Sequence, residues 1–280
     1  MASAERSNPT TSCPSRMRRC DMPAPIRPSP IIPMRMRPPG RVRPGLPLRD
    51  KGSLSRMLER MVLRDADEAA EWAARIMAAA LGDAVTARGR ASLALSGGHS
   101  PWAMMGMLFA RDLPWAAVDL LQVDERVAPD GDEQRNLTHI AKLRHGTPAE
   151  RARMHAIPIA GGADAAARAY CETVRALGDP IDIVQLGLGD DGHTASLAPG
   201  DPVLAVRDAP VAATAGPFNG TRRVTLTYPA LNTARLVVWL VTGASKREMA
   251  DRLTAGDDGI PAARVAAARQ VLVLDATAAG

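Results

Sequence analysis

Long apolar runs are missing: no stretch of the 280 residues approaches the roughly 20 apolar side chains that a membrane-spanning helix needs. Cysteine is scarce too. Cys13 and Cys20 stand near the start and Cys171 alone in the body, so no disulfide framework can hold the core, as fits a reducing, cytoplasmic setting. No His, Cys or carboxylate cluster has zinc-ligand spacing. Neither a G-x-S-x-G elbow for a serine nucleophile nor a Walker-type G-x-x-x-x-G-K loop occurs. Aromatic residues are only 3% of the chain, against a hydrophobic share of 46% that is rich in alanine. At this length one large domain or two small ones could each bury a sufficient core.

The net charge of +5 belongs to one end. Residues 1–50 hold ten Arg against Glu5, Asp21 and Asp50, a balance of +7 that leaves −2 on residues 51–280. A slightly acidic body does not read as a nucleic-acid-binding one. The same 50 residues contain eleven prolines, which prevent helix interiors and sheet ladders alike. Residues 1–56 are therefore expected to be a disordered Pro/Arg-rich extension, without the apolar stretch of a secretory signal. Four readings stand open for it: translated sequence upstream of a start at Met57 or Met61, an organelle-targeting extension, a basic binding arm, or an inert tail. A nucleic-acid arm would bind in a salt-sensitive way.

Residues 57–280 read as an α/β domain. Asp65-Ala66-Asp67-Glu68 opens a helix with acids at its positive end, carried by apolar residues to about Leu81. Further helices are expected over 102–109, 136–143, 163–177 and 246–253. Strands are expected at 91–95, 118–123, 155–159, 181–188, 211–214, 224–227, 236–241 and 270–274. Short β-rich runs separated by helices predict one three-layer α/β/α domain around a mostly parallel, Rossmann-like sheet.

Four strand-end motifs could carry chemistry. The most informative is Gly187-Leu188-Gly189-Asp190-Asp191-Gly192-His193-Thr194-Ala195-Ser196-Leu197, where an apolar strand ends in glycines and acids that present a histidine. It also spells G-x-G-x-x-G. Yet Asp190 and Asp191 stand where a pyrophosphate needs free N–H groups, the motif comes late, and no ribose-binding acid follows about 20 residues on. A dinucleotide turn is therefore set aside. Asp191 could orient the His193 imidazole, which the sequence by itself does not establish. Ser96-Gly97-Gly98-His99-Ser100-Pro101 ends a strand where Ser100 and Pro101 resemble the N-cap and first residue of a helix; it is either a phosphate cradle or a tight turn. Asp124-Glu125-Arg126 puts charges at another strand end. Arg126 suits a phosphate and Asp124 a hydroxyl or a cation, unless the two form a structural pair. Arg223 precedes a strand, and Lys246 enters a helix at the end lysine usually avoids, which a bound anion would explain; a solvated lysine reads equally well. His139, His145 and His155 have structural contexts. The inventory holds cations, a glycine cradle, one base and no nucleophile, which fits a small phosphorylated metabolite.

In these motifs the chain resembles the 6-phosphogluconolactonase family, within the larger group that includes glucosamine-6-phosphate deaminase. The resemblance runs from about residue 65 to the C-terminus. It rests on S-G-G-x-[ST]-P at 96–101, D-E-R-x-x-P at 124–129, G-x-G-x-D-G-H-T-A-S-L at 187–197, and R-x-T-L-T with G-x-x-K at 223–227 and 243–246. It implies hydrolysis of 6-phospho-D-glucono-1,5-lactone without metal or cofactor. His193 would be the base, with Asp191 beside it. Gly97, Gly98, Ser100, Asp124, Arg126, Asn136, Gly189, Arg223 and Lys246 would bind the phosphorylated sugar lactone. Neither a nucleic acid nor a membrane partner is implied, and a monomer or weak homo-oligomer is expected.

Three positions depart from the family pattern: His99 for Ser or Thr, Arg135 before Asn136 where Ser is usual, and Ala198 for an aromatic at the cleft wall. Ser196-Leu197 replaces the Asn-Glu pair that follows D-G-H in the deaminases, which disfavours that activity. A non-catalytic sugar-phosphate sensor would have no need of His193.

Overall fold

A computed structural model describes residues 57–178 and 180–280. The expected disorder of residues 1–56 lies outside the described residues. The chain alternates strands and helices: β1 (Met57–Leu63), α1 (Ala66–Arg88), β2 (Ala91–Leu95), α2 (His99–Phe109), β3 (Val118–Gln122), β4 (Asp124–Arg126), α3 (Asn136–Arg144), β5 (Arg153–His155) and α4 (Ala163–Leu177). There follow β6 (Ile183–Leu186), β7 (Val211–Ala213), β8 (Arg223–Leu226), α5 (Tyr228–Thr233), β9 (Leu236–Val241), α6 (Arg247–Ala255), β10 (Arg269–Asp275) and α7 (Ala276–Ala279).

Seven strands form one parallel sheet in the order β1-β10-β9-β6-β2-β3-β5. Central strands are apolar on both faces because both are covered. In β9, Leu236, Val238 and Leu240 join the core with α1 and α2, while Val237, Trp239 and Val241 join the one with α4, α5 and α6. A second sheet, antiparallel and ordered β4-β8-β7, sits on the α4 side. The layers are those the pattern predicts.

Several boundaries differ from expectation, each for a local reason. Helix α1 begins at its Asp65 cap, which accepts from the Glu68 amide at 2.8 Å. It runs past Leu81 because Ala84 continues the buried face, and it stops at Gly89 with φ +72°. Strand β1 was not expected; at the sheet edge it leaves Glu59, Arg60 and Val62 exposed, which hides the two-residue alternation. The strand expected over 155–159 lies instead at Arg153–His155. Ile157 donates its amide to the Gln122 side chain at 2.8 Å rather than to a ladder. Helix α2 begins earlier than expected, with Gly98 as its cap, so Ser100 is neither cap nor first residue. Its hydroxyl pairs with Thr242 at 2.5 Å instead.

The order of strands places the site. From β2 the chain moves outward to β3 and β5, then returns to β6 on the other side of β2 and continues to β9 and β10. The direction reverses between β2 and β6, the crevice where open α/β sheets bind ligands. The turns at residues 96–98 and 187–193 both leave the carboxyl ends of those two strands.

Candidate active site

A cavity of about 490 Å³ opens at this reversal point. Gly97, Gly98, Ser100, Asp124, Arg126, Asn136, Gly189, His193, Arg223 and Lys246 all line it, so ten residues singled out from sequence are brought together. Asp191 stands behind His193 and does not line the cavity. Thr242, Leu240 and Val241 at the end of β9 also contribute to the wall and were not anticipated. The Val241-Thr242-Gly243 strand end was the available signal for them.

The His193 turn is closed by its own backbone. The Gly189 amide donates to the His193 carbonyl at 2.8 Å and the Gly192 amide to the Gly189 carbonyl at 3.1 Å. Gly189 must be glycine, since a Cβ there would lie 1.9 Å from His193 Nδ1. Gly192 has φ +80°, and its missing Cβ makes room for Ile260. Asp191 Oδ1 accepts from the His193 amide at 3.0 Å and meets Nδ1 at 2.5 Å. A carboxylate on Nδ1 selects the tautomer with its proton there and leaves the Nε2 lone pair available. Burial raises the Asp191 pKa, but the hydrogen bonds from the His193 amide and ring outweigh it, and the net value falls below the usual carboxylate range.

The second wall comes from β4 and the start of α3. Asp124 is buried; its Oδ2 accepts from Ser196 Oγ at 2.6 Å and its Oδ1 from Asn136 Nδ2 at 3.0 Å. Arg223 lies 3.9 Å from the same carboxylate. The fully buried Glu125 accepts from the Asn136 and Leu137 amides at 2.8 and 2.9 Å, satisfying the first turn of α3, and from the Arg126 amide at 2.8 Å. Arg135, which stands where serine is usual in the family, is also buried and bridges Glu125 at 3.5 Å and Asp130. Its charge ties this loop to both carboxylates, a role no sequence pattern announced. Arg126 Nη1 donates to the Gln134 carbonyl at 2.5 Å. Gly97 presses against Asn136, whose Oδ1 a Cβ would approach to 1.8 Å.

Cations line this space from two places: Arg126 and Arg223, which are register partners across β4 and β8, and Lys246 after β9. Burial lowers the pKa of Arg223, with Asp124 pulling it back up. Lys246 pairs with Asp190 at 2.9 Å, so the anion that explains its place at a helix entrance is, in this structure, a side chain. That bond, opposed by modest burial, holds Asp190 below the usual carboxylate range. Ala198 is buried and is not part of the wall, whereas His99 is. His139 stacks on Trp102, His145 pairs with Glu150 and His155 with Asp119, all away from the cavity. Among the described residues no group of three or more His, Cys, Asp or Glu could hold a metal ion, and no helix is long and apolar enough to cross a membrane.

Comparison with known proteins gives consistent matches. The family described as glucosamine-6-phosphate isomerases/6-phosphogluconolactonase matches residues 64–274. A 6-phosphogluconolactonase of Nostoc sp. is 38% identical over 178 residues, 60% of this chain and 72% of that protein. One from Mycobacterium tuberculosis is 35% identical over 236 residues, 78% of this chain and 96% of that protein. Among solved structures, a 6-phosphogluconolactonase from Shewanella baltica superimposes with a TM-score of 0.73 at 24% identity, covering 79% of this chain and 98% of that one. A monomeric glucosamine-6-phosphate deaminase superimposes with a TM-score of 0.64 at 22% identity over 80% of this chain and 99% of its own. The fold is thus common to both activities, and the site must choose between them.

Proposed function

The chain belongs to the glucosamine-6-phosphate isomerase/6-phosphogluconolactonase family, and from that premise we propose that it is a hydrolase acting as a 6-phosphogluconolactonase. It converts 6-phospho-D-glucono-1,5-lactone to 6-phospho-D-gluconate in the oxidative pentose phosphate pathway, by general-base activation of water without a metal. One observation carries the reading: the Asp191–His193 pair presents a free ring nitrogen to the cavity that Arg126, Arg223 and Lys246 also face.

In this mechanism His193 Nε2 takes a proton from water as the oxygen attacks the lactone carbonyl carbon. Negative charge develops on the carbonyl oxygen, where cations and backbone amides lower the barrier; a single such donor contributes about 2.7–4 kcal/mol. Collapse of the tetrahedral intermediate breaks the ring C–O bond. The departing alkoxide recovers the proton from the imidazolium, and the new carboxylic acid ionises. Arg126 and Lys246 hold the phosphate together with the amides at the start of α2, where the helix dipole favours an anion. Phosphate at Lys246 displaces Asp190, an exposed partner.

The deaminase reading loses support at Ser196-Leu197. Ser196 is fully buried with its hydroxyl on Asp124, and Leu197 is in the core. No acid stands there for ring-opening chemistry. A coupled assay with freshly generated lactone, corrected for spontaneous hydrolysis and run beside glucosamine 6-phosphate, decides the matter. Turnover of the amino sugar alone would reverse the assignment, and a chelator that abolished lactonase activity would overturn the metal-free mechanism.

A further inference from the structure

The sequence has two phenylalanines, and only one of them, Phe109, is in the core. Phe218 is half-buried, and its ring meets His193 edge-on, with centroids 4.9 Å apart and planes at 81°. The Arg223 guanidinium lies 4.7 Å over the same ring, and Arg223 Nε donates to the Phe218 carbonyl at 3.0 Å. One side chain therefore touches both the base and the cation buried in the cavity wall.

The backbone that carries Phe218 is stiff for a reason written in the sequence. Asn219 and Gly220 have φ +51° and +86°, the two left-handed residues of a type I′ hairpin turn, for which Asn-Gly is the preferred pair. The Phe218 amide closes that turn on the Thr221 carbonyl at 2.9 Å. Two residues later the chain enters β8 at Arg223. The ring is thus delivered by a fixed turn, while Asp191 holds the opposite side of the imidazole through Nδ1.

We propose that Phe218 is a positioning residue for the lactonase reaction: its ring fixes the planes of the His193 imidazole and the Arg223 guanidinium so that Nε2 is aimed at the attacking water. The inference rests on the lactonase reading of the site. Asp191 and the Gly189 backbone bound the imidazole near Nδ1 and leave movement toward the Phe218 side unrestrained. A packed aromatic edge removes that freedom, and an aliphatic side chain of similar bulk does not.

The test compares Phe218→Leu, Phe218→Ala and Phe218→Tyr in the full chain, with thermal melting to verify folding. Phe218→Leu should lose roughly tenfold in kcat, the order of one aromatic pair, with KM changing less; Phe218→Tyr should recover most of the rate. In NMR spectra the imidazole C–H resonances of His193, identified by their loss in His193→Ala, should shift in Phe218→Leu and stay near their wild-type positions in Phe218→Tyr. Wild-type kcat in Phe218→Leu, or a loss that Tyr does not restore, would overturn the proposal. The resonances need no turnover. If wild-type protein leaves the lactone intact, the functional reading fails, while unmoved resonances in Phe218→Leu would refute the positioning contact itself.

Discussion

Both edges of the parallel sheet carry a depression lined by charged side chains, and they use those charges in opposite ways. At the amino edge, a cavity of about 350 Å³ is lined by Arg90, Asp119 and Arg153. There Asp119 pairs with His155 at 2.7 Å and Arg153 at 3.6 Å, and Asp182 with Arg88 at 2.6 Å and Arg235 at 3.2 Å. Helices α1 and α4 end at that edge, with their negative poles at Gly89 and Gly178. At the carboxyl edge α2 begins, and its positive pole meets groups that are not saturated. Arg126 has no carboxylate partner among the described residues, Asn136 Oδ1 has no hydrogen bond, and none reaches His193 Nε2. Volume alone does not separate the edges. Apart from Arg90, exposed and without an ion pair among the described residues, the amino edge leaves little capacity for a ligand, and the carboxyl edge leaves a base, a cation and an acceptor.

The comparison breaks first at His193. Replacing it with alanine should lower kcat by about 10² to 10⁴, the usual weight of a positioned general base, while calorimetry shows 6-phosphogluconate still bound. Near-normal turnover would remove the base and, with it, the chemical distinction between the edges. Next is Asp191→Asn, which should cost about a hundredfold in kcat by releasing the imidazole. The pH dependence of that pair follows from the sign of its shift. A carboxylate whose pKa is depressed in the folded state stabilises it fully above the unfolded value and loses that contribution as pH falls through the folded one. The stability difference between wild type and Asp191→Asn should therefore be flat above about pH 4 and shrink only below it. Arg126→Ala and Lys246→Ala should act on binding instead, raising KM by roughly tenfold or more, the worth of one charged hydrogen bond. A loss of kcat at constant KM would move those cations from the phosphate to the reacting carbonyl.

How much of this was legible depends on whether a residue's neighbours are near in sequence. The β9 and α4 spans read correctly because burial on both faces or on one stripe leaves a local pattern. Gly189, Asp191 and His193 could be grouped because the turn that joins them is five residues long. Ser100 was misplaced as a cap because its real partner, Thr242, is 142 positions away. Phe218 escaped because it is defined by a contact with His193, 25 positions away, whereas Arg135 has its partners Glu125 and Asp130 within ten residues but leaves no pattern that tells a buried arginine from a solvated one. Single-residue chemistry at strand ends was readable; the supports behind it were not.

The smallest effect on rate is expected where the charges are saturated. Asp182 is buried at the amino edge and accepts from Arg88 Nη2, from the Ser92 amide at 2.9 Å and from Ser92 Oγ at 3.3 Å. Alanine at this position strands the Ser92 donors and frees two arginines, of which Arg88 and Arg235 are 38% and 50% exposed. Solvent screens those two, so the cost should be limited to about 1–2 kcal/mol of unfolding free energy, read from the urea midpoint. Turnover of the lactone should be unchanged, because Asp182 stands at the opposite edge of the sheet from the cavity that His193 lines. A fall in kcat without loss of stability would mean that the amino edge communicates with the cavity, and the contrast between a saturated and an open edge would have to be given up.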